Sequence, residues 1–489
     1  MRDIYLPLSF SILINSYFRR VLPLATCVLL AGAAFGQGGV TPPSSVLPAK
    51  PPAAASAQQP VHYEYGQPGE HHNWSVHFQQ TIIKQWHSDF HAPYEDSLSL
   101  QQRESAKLSL TTTAFIGRRL WKGGALFFNP EVSGGSGLSG ASGVAGALNG
   151  ETFRVGSAEP VLYLARLFLQ QRFALTTETV DDEDDLNQLG GPRPTRYLGV
   201  VVGKISLADY FDQNSYSHDP RTQFFNWSLM SAGGWDYPAN TRGYTGAVVL
   251  QYVSPGLAVR AATSLMPTYA NGPILDYNYG KAHAETVELT KVYSLRSHPG
   301  TVRLLGYRNQ AGMGNYNQTL LPQYNLYENG RVRPNLIDTR QDYRTKYGYV
   351  VNFEQELSKS VGLFGRYSWD DGKNETWAFT EIDESVSLGV TSDGRRWHRP
   401  TDRLGLAAVV NGLSPEHRNY LARGGYGFIL GDGALNYAPE FITELYYSID
   451  FPQYHAALSP DYQLVVNPGY NRDRSGPIHV VALRLHVEF

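Results

Sequence analysis

The feature that most restricts this chain is its last stretch, residues 478–489, IHVVALRLHVEF. Val481, Leu483, Leu485, Val487 and Phe489 make one apolar series, and Val480, Ala482, Arg484, His486 and Glu488 alternate with it. Successive side chains of an extended strand point to opposite faces, so the segment reads as a strand with one apolar and one polar face. It could close a soluble sheet. An apolar aromatic end beside a charged face is also how a sheet rolled into a membrane barrel closes.

Four earlier segments repeat the pattern. In residues 108–121, Leu108, Leu110, Ala114, Ile116 and Leu120 oppose Ser109, Thr111, Thr113 and Arg119. In 161–173, Val161, Tyr163, Ala165, Leu167, Leu169 and Phe173 oppose Arg166, Gln170 and Arg172. Tyr347, Tyr349, Val351 and Phe353 oppose Lys346, Asn352 and Glu354. Phe441, Leu445, Tyr447, Ile449 and Phe451 oppose Glu440, Glu444, Ser448 and Asp450. Charge keeps to one face throughout. An Arg or Lys facing lipid near the midplane costs roughly 2–4 kcal/mol, and a one-residue slip of register would place several there together. The polar face is therefore expected to line a lumen.

Composition agrees with an all-β class: 32 Tyr and 48 Gly against 4 Met suit short aromatic-rich strands with many turns. A formal charge of -3, with no Lys/Arg block, argues against a nucleic-acid partner. Residues 21–36 (VLPLATCVLLAGAAFG) follow Arg19 and Arg20 as a secretory signal would, with cleavage expected after Gly36. Lipidation of Cys27 fits less well, because the apolar run continues past it. Without Cys27 the mature chain would have neither disulfides nor thiol chemistry. Residues 37–70, rich in Pro, Ala, Ser and Gln, are expected to be a disordered tether, with a barrel over residues 71–489. After the leader no apolar run is long enough for a membrane helix, which leaves a soluble periplasmic protein or a transmembrane antiparallel β-barrel.

About sixteen strand-like segments are expected from Trp74 onward, with Tyr, Trp and Phe near their ends as in an interfacial girdle. Residues 134–150, 176–194 and 210–241 read as long loops, and 370–374 (DDGKN) as a tight turn. A soluble β-sandwich shares the alternation. The number of segments, the aromatic ends and the export signal favour the barrel.

Several blocks carry a family resemblance: GETFRVGSAEPVLYLARLFL (150–169), SHDPRTQF (217–224), WAFTEID (377–383), NGLSPEHRNYLARGGYGF (411–428), and NPGYNRDR (467–474) before the last strand. Together they resemble the carbohydrate-selective porins of the OprB type. The resemblance implies a sixteen-stranded barrel in the bacterial outer membrane that passes mono- and oligosaccharides by diffusion, with basic and aromatic residues at its constriction. The tether and the acidic run 181–185 (DDEDD) depart from compact members of that family.

A sugar path needs hydroxyl-binding groups on a rigid wall, aromatic faces for the pyranose ring, and binding weak enough to release. Arg119, Arg166, Arg172, Arg366, Glu444, Arg484 and Glu488 stand on the polar faces, and Trp227, Trp235 and Tyr237 lie in an insertion that could fold inward; these are the candidate pore residues. Phe489 is expected to end the signal read by the barrel-assembly machinery. Other partners are sugars as transported solutes and outer-membrane lipid, with a monomer and a trimer both open.

Rival chemistries find less support. Gly135, Gly137 and Gly140 match a dinucleotide fingerprint but sit in a Gly/Ser/Ala run that opens no helix, so a flexible loop is expected. His87 and His91, near His71, His72 and His77, lack the spacing of a zinc site, and the acidic run lacks the spacing and glycine of an EF-hand. No Ser, His and acid stand out as a set, although a barrel enzyme with groups on its surface remains an alternative, as does a general diffusion porin. Neither a metal nor a cofactor is implied.

Overall fold

The structure, a computed structural model, describes residues 73–152, 158–328 and 331–489; the expected leader (1–36) and tether (37–70) lie outside the described residues. Strands β1 (Trp74–His87), β2 (Lys107–Trp121), β3 (Gly124–Gly134) and β4 (Val161–Ala174) come first. A small hairpin, β5 (Thr179–Asp182) and β6 (Gly191–Pro194), precedes β7 (Tyr197–Ile205), β8 (Thr245–Ser254), β9 (Leu257–Leu265), β10 (His283–Leu295) and β11 (His298–Ala311). A second, β12 (Asn325–Glu328) with β13 (Arg331–Pro334), precedes β14 (Arg344–Ser358), β15 (Val361–Asp370) and β16 (Glu384–Gly394). Strands β17 (Arg399–Gly412), β18 (Glu440–Phe451), β19 (Ala456–Val466) and β20 (Ile478–Glu488) complete the chain.

Leaving out the two small hairpins, sixteen antiparallel strands pair in chain order into a closed barrel. The expected closure is present: β20 pairs with β1 from Gln79↔Glu488 to His87↔Val480. Phe78 and Phe489 exchange both backbone hydrogen bonds at 2.9 Å, and inside the wall the Thr81 hydroxyl meets His486 Nδ1 at 2.8 Å. Closure removes both sheet edges, which in lipid would leave backbone groups without partners.

Alternation holds along the wall. On β20 Val481, Leu483 and Leu485 are exposed on the outside, while Val480, Ala482, Arg484 and His486 are buried inside. On β2 Leu108 is exposed and Ser109, Thr111 and Thr113 are buried. Outward Val76, Phe78, Leu162, Leu250, Leu289 and Leu304 extend a continuous apolar belt, as lipid contact requires. Exposed Trp74, Trp121, Phe173, Tyr252, Tyr293 and Tyr454 ring the end that carries the shorter turns.

Strand β4 corrects the expected face of Tyr163. Its pairing with β3 slips between Asn129↔Arg166 and Pro130↔Leu164, so Ala165 is an extra residue and the alternation changes phase there. Tyr163 consequently turns into the lumen with Arg166, while Leu162 and Leu164 take the outer face.

Eight connections leave one end of the barrel: 88–106, 135–160, 206–244, 266–282, 312–343, 371–383, 413–439 and 467–477. The other end has tight turns at 122–123, 255–256, 296–297 and 359–360, four-residue turns at 395–398 and 452–455, and one long exception, 175–196. One expectation is thereby revised: residues 371–374, read as a tight turn, open a longer connection at the long-loop end. The acidic segment is a long connection as expected, and it belongs to the turn end.

The glycine-rich segment is not a flexible loop either. Residues 141–149 are buried, and Ala145 N–H donates to Glu440 of β18 at 3.0 Å. A Cβ on Gly143, whose φ is +77°, would lie 1.8 Å from the backbone nitrogen of Leu100. Small residues let this segment thread where side chains would collide.

Candidate functional site

The lumen is shaped chiefly by residues 206–244, which fold inward and carry apolar weight of their own: Leu207, Phe211, Phe224, Phe225 and Leu229 are fully buried. Polar wall residues fix the segment in place. Arg366 of β15 pairs with Asp212 (Nε to Oδ1, 2.9 Å) and donates to the carbonyls of Leu229 at 3.0 Å and Ser217 at 2.6 Å. Glu444 of β18 accepts the backbone N–H groups of Phe225 and, at 2.9 Å, Asn226. Arg484 of β20 donates to the carbonyls of Pro220 and Gln223, both at 2.7 Å, and lies over the Phe225 ring at 4.6 Å. Tyr307 of β11 donates to the Gly234 carbonyl at 2.7 Å.

A second set of charges ties the segment to its neighbours at the long-loop end. Lys346 of β14 lies 3.2 Å from Asp370, 3.9 Å from Asp383 and 4.0 Å from Asp236, with all four side chains buried. Asp236 accepts the N–H groups of Trp377 and Ala378 at 3.0 and 2.8 Å. His417 adds a contact to Asp383 at 3.1 Å. Burial alone would raise the Asp383 carboxyl, but His417, Lys346 and the Ser414 N–H outweigh it and hold it well below the usual carboxylate range.

Elsewhere on the wall, β3 and β4 are joined to the same segment by a cluster built on Glu131. The hydroxyls of Tyr163 and Tyr244 both donate to it, the latter at 3.0 Å, and Thr113 donates at 2.5 Å. Arg221 bridges Glu131 at 3.3 Å and Glu151 at 3.1 Å. Burial disfavours the Arg221 charge, yet the two carboxylates raise its pKa well above the ordinary arginine value. Arg166 grips Asp209 with two nitrogens, at 2.8 and 2.7 Å, and lies 5.1 Å from the Tyr244 ring centre. Arg242 lies 4.1 Å from the Tyr163 ring centre and donates to Ser133 at 2.9 Å. The side chains of Arg166 (12% exposed), Arg221 (15%) and Asp209 (30%) keep part of their surface open to water here. Guanidinium forks, carboxylates and phenol rings at such spacing can exchange hydrogen bonds with vicinal hydroxyls and offer flat apolar faces to a ring.

An aromatic group stands on the same inward segment. Trp227, on the one-turn helix Trp227–Met230, stacks on Phe379 with centroids 4.4 Å apart and planes 9° from parallel. Phe379 has φ +57°, a conformation that a bulky non-glycine residue rarely adopts. Its neighbours hold it there: besides the Asp236 bonds to Trp377 and Ala378, Thr380 donates to the Gly233 carbonyl at 2.7 Å. Strain held by its surroundings is a mark of functional positions.

The expected pore residues fall into three groups. Arg166 stands beside the Glu131 cluster and Trp227 in the aromatic stack. Arg119, Arg172 and Glu488 lie at the turn end: Arg119 donates to the Gly190 carbonyl at 2.9 Å, Arg172 is 3.6 Å from Asp182, and Glu488 is 3.3 Å from His486. The other five are corrected from lining to anchoring. Arg366, Glu444 and Arg484 are buried under the inward segment, whose backbone carbonyls and N–H groups they satisfy. Trp235 (2% exposed) and Tyr237 (4%) pack edge to face in its core, and burial pushes the Tyr237 hydroxyl up to about 12. Phe489 is exposed at the turn end, with its ring 5.4 Å from that of His455.

Glu131, Tyr163, Arg221, Arg242 and Phe379 were not among the expected set. Arg221 and Phe379 lie inside the quoted blocks SHDPRTQF and WAFTEID, which is the signal that could have found them. Tyr163 was hidden by the bulge. Among the described residues no group of three His, Cys, Asp or Glu is placed to hold a metal, and His87 instead bonds Glu104 at 3.1 Å and the Ser88 carbonyl at 2.8 Å.

Comparison with known proteins bears on this geometry. The family model described as carbohydrate-selective porin, OprB family, matches residues 102–489. The high-pH structure of Pseudomonas putida OprB is similar at 15% identity with a TM-score of 0.62, covering 86% of this chain and 94% of that one. The outer membrane channel DcaP of Acinetobacter baumannii gives 11% identity and a TM-score of 0.47 over 85% of this chain and 97% of that one. No curated protein matches the chain significantly.

Proposed function

The chain belongs to the OprB family of carbohydrate-selective porins, and from that premise we propose that its sugars pass alongside the Glu131 cluster, over the partly open faces of Arg166, Arg221 and Asp209 where residues 206–244 meet β3 and β4. The protein is a bacterial outer-membrane channel for passive diffusion of carbohydrates, not an enzyme. By the habit of such barrels the long loops face outward and the short turns face the periplasm. A sugar entering from the loop side then meets the Trp227 and Phe379 rings and the guanidinium groups of Arg166, Arg221 and Arg242. Ring faces take the apolar patches of the pyranose and the arginines take its hydroxyls.

The observation that supports this route above others is the pairing of partly open arginines with tyrosine rings around one buried carboxylate. Membership of a carbohydrate-selective family favours sugar over general diffusion. Residues 1–36 as export signal, residues 37–70 as tether, contact with outer-membrane lipid and delivery by the barrel-assembly machinery belong to the same reading.

Planar bilayers containing the pure protein, titrated with glucose and maltose, test it. Conductance should fall saturably with sugar, and Arg242→Gln should raise the half-blocking concentration. Conductance that no sugar reduces would leave a general pore, and full block in Arg242→Gln would move the route elsewhere.

A further inference from the structure

Residues 175–196, the one long connection at the turn end, do not hang away from the barrel. Strands β5 and β6 pair from Thr179↔Pro194 to Asp182↔Gly191, and a tip at Asp185 and Gln188 closes the hairpin. At the far end of the paired strands it is clamped where Asp182 receives Arg193 at 2.9 Å and Arg172 of β4 at 3.6 Å. Beyond the clamp it turns inward. Leu189 is 9% exposed and shares an apolar cluster with Phe127 of β3, Phe168 of β4 and Val201 of β7, side chains on the inner wall. Arg119 of β2 donates to the Gly190 carbonyl, and Asp184 reaches His77 of β1 at 3.4 Å.

Strands β1, β2, β3, β4 and β7 are successive neighbours in the barrel, so the hairpin crosses the inside of five strands. At about 4.8 Å per strand that is roughly 20 Å of wall. It enters from the end opposite to residues 206–244.

We propose that this hairpin is a second constriction, at the periplasmic mouth, and that it makes the exit favour neutral and cationic solutes over anionic ones. Asp181, Glu183, Asp184 and Asp185 are exposed along it, Asp184 beside His77, and Asp182 lies between two arginines. An acidic run on a loop free in solvent would be screened within about 8 Å. Here the run is pinned inside an opening with low-dielectric walls, which focus its field along the route. The arginines nearer the outside are balanced by Glu131, Glu151 and Asp209, so charge selection falls to the hairpin, which holds back solutes carrying carboxylate or phosphate. Glucose passes it, and glucuronate is slowed there. The inference rests on the lumen being the solute path.

Two variants of the full chain test it in planar bilayers and in proteoliposomes. In the first, residues 176–195 are replaced by Asn-Gly; in the second, D181N/E183Q/D184N/D185N keeps the backbone and the Asp182 clamp. The first should conduct more than the parent. Both should move the reversal potential in a KCl gradient toward anion preference and speed glucuronate-driven swelling relative to glucose. Unchanged conductance in the shortened barrel, or an unmoved reversal potential and glucuronate-to-glucose ratio in the fourfold variant, would overturn the proposal. Should the shortened barrel fail to fold, the fourfold variant alone decides. A parent protein that does not conduct at all would instead refute the channel reading.

Discussion

Arg366 on the wall and Asp212 on the inward segment meet at 2.9 Å with neither side chain more than 1% exposed. A buried pair of this kind adds little net stability over an apolar pair, but removing one member strands the other charge at a cost of about 3–5 kcal/mol. Arg366→Ala should therefore release residues 206–244 from the wall, read as a lower temperature of conversion to the unfolded band in heat-modifiability gels and as noisier single channels. Arg366→Met with Asp212→Asn should recover much of that loss; equal damage in the double variant would show that the carbonyl contacts, not the charge pair, hold the segment.

The Trp227 and Phe379 stack gives a prediction about affinity. Aromatic pairs contribute about 0.5–1.5 kcal/mol beyond area burial, which Phe379→Ala removes from the fold. The same change should raise the half-blocking concentration of maltose, because a ring face leaves the path, while channels still form. Phe379→Gly, which also removes the cost of the +57° φ, should give a more heat-resistant barrel than Phe379→Ala with the same weakened block.

Acid should act on the long-loop end. The Asp383 pKa is depressed in the fold, so its contribution is complete above the unfolded carboxylate value of about 3.9 and is lost as pH falls from there toward the folded value. His218, pushed down by burial and then by Arg366, adds an earlier loss: below about 6.5 the unfolded chain binds a proton that the fold resists. Thermal stability should decline modestly from pH 7 to 5 and more steeply below 4. Asp383→Asn should be less stable at pH 7 and flatter below 4; a parallel decline in parent and variant would assign the acid step to other carboxylates.

Deleting Phe489 removes the two backbone bonds to Phe78, worth about 1–3 kcal/mol together. The amount synthesised should be unchanged while the heat-modifiable, membrane-inserted fraction falls. Normal insertion would deny this residue a part in closure.

The wall was legible because its rule is local. A charge facing lipid is expensive, so one polar face per strand had to be read out of Arg484, Lys346 or Glu444 without knowing a single contact. Tyr163 escaped because a bulge is one inserted residue, and Ala165 looks like any other small side chain in a strand. Inward folding of 206–244 was harder still: Arg366, Glu444 and Arg484 sit on the polar face either way, and only three-dimensional proximity decides whether they meet water or a loop's backbone. The same holds for the glycine-rich segment, where composition suggests freedom and the contact of Gly143 with Leu100 shows confinement. The acidic run could be read as solvated, but which end of the barrel it occupied depended on the parity of every strand before it.

The hydrogen bond between Thr81 and His486 joins residues 405 positions apart. No local contact can make this join: the two strands that seal the ring lie at opposite ends of the chain, and the entropy of bringing such distant segments together has to be met before their bonds form. Until they meet, one margin of β1 and one of β20 stay bare, and a bare strand margin invites pairing with other molecules. Ring closure is thus an order-of-assembly problem as well as a geometric one: the sheet is open to wrong partners until its first and last strands find each other.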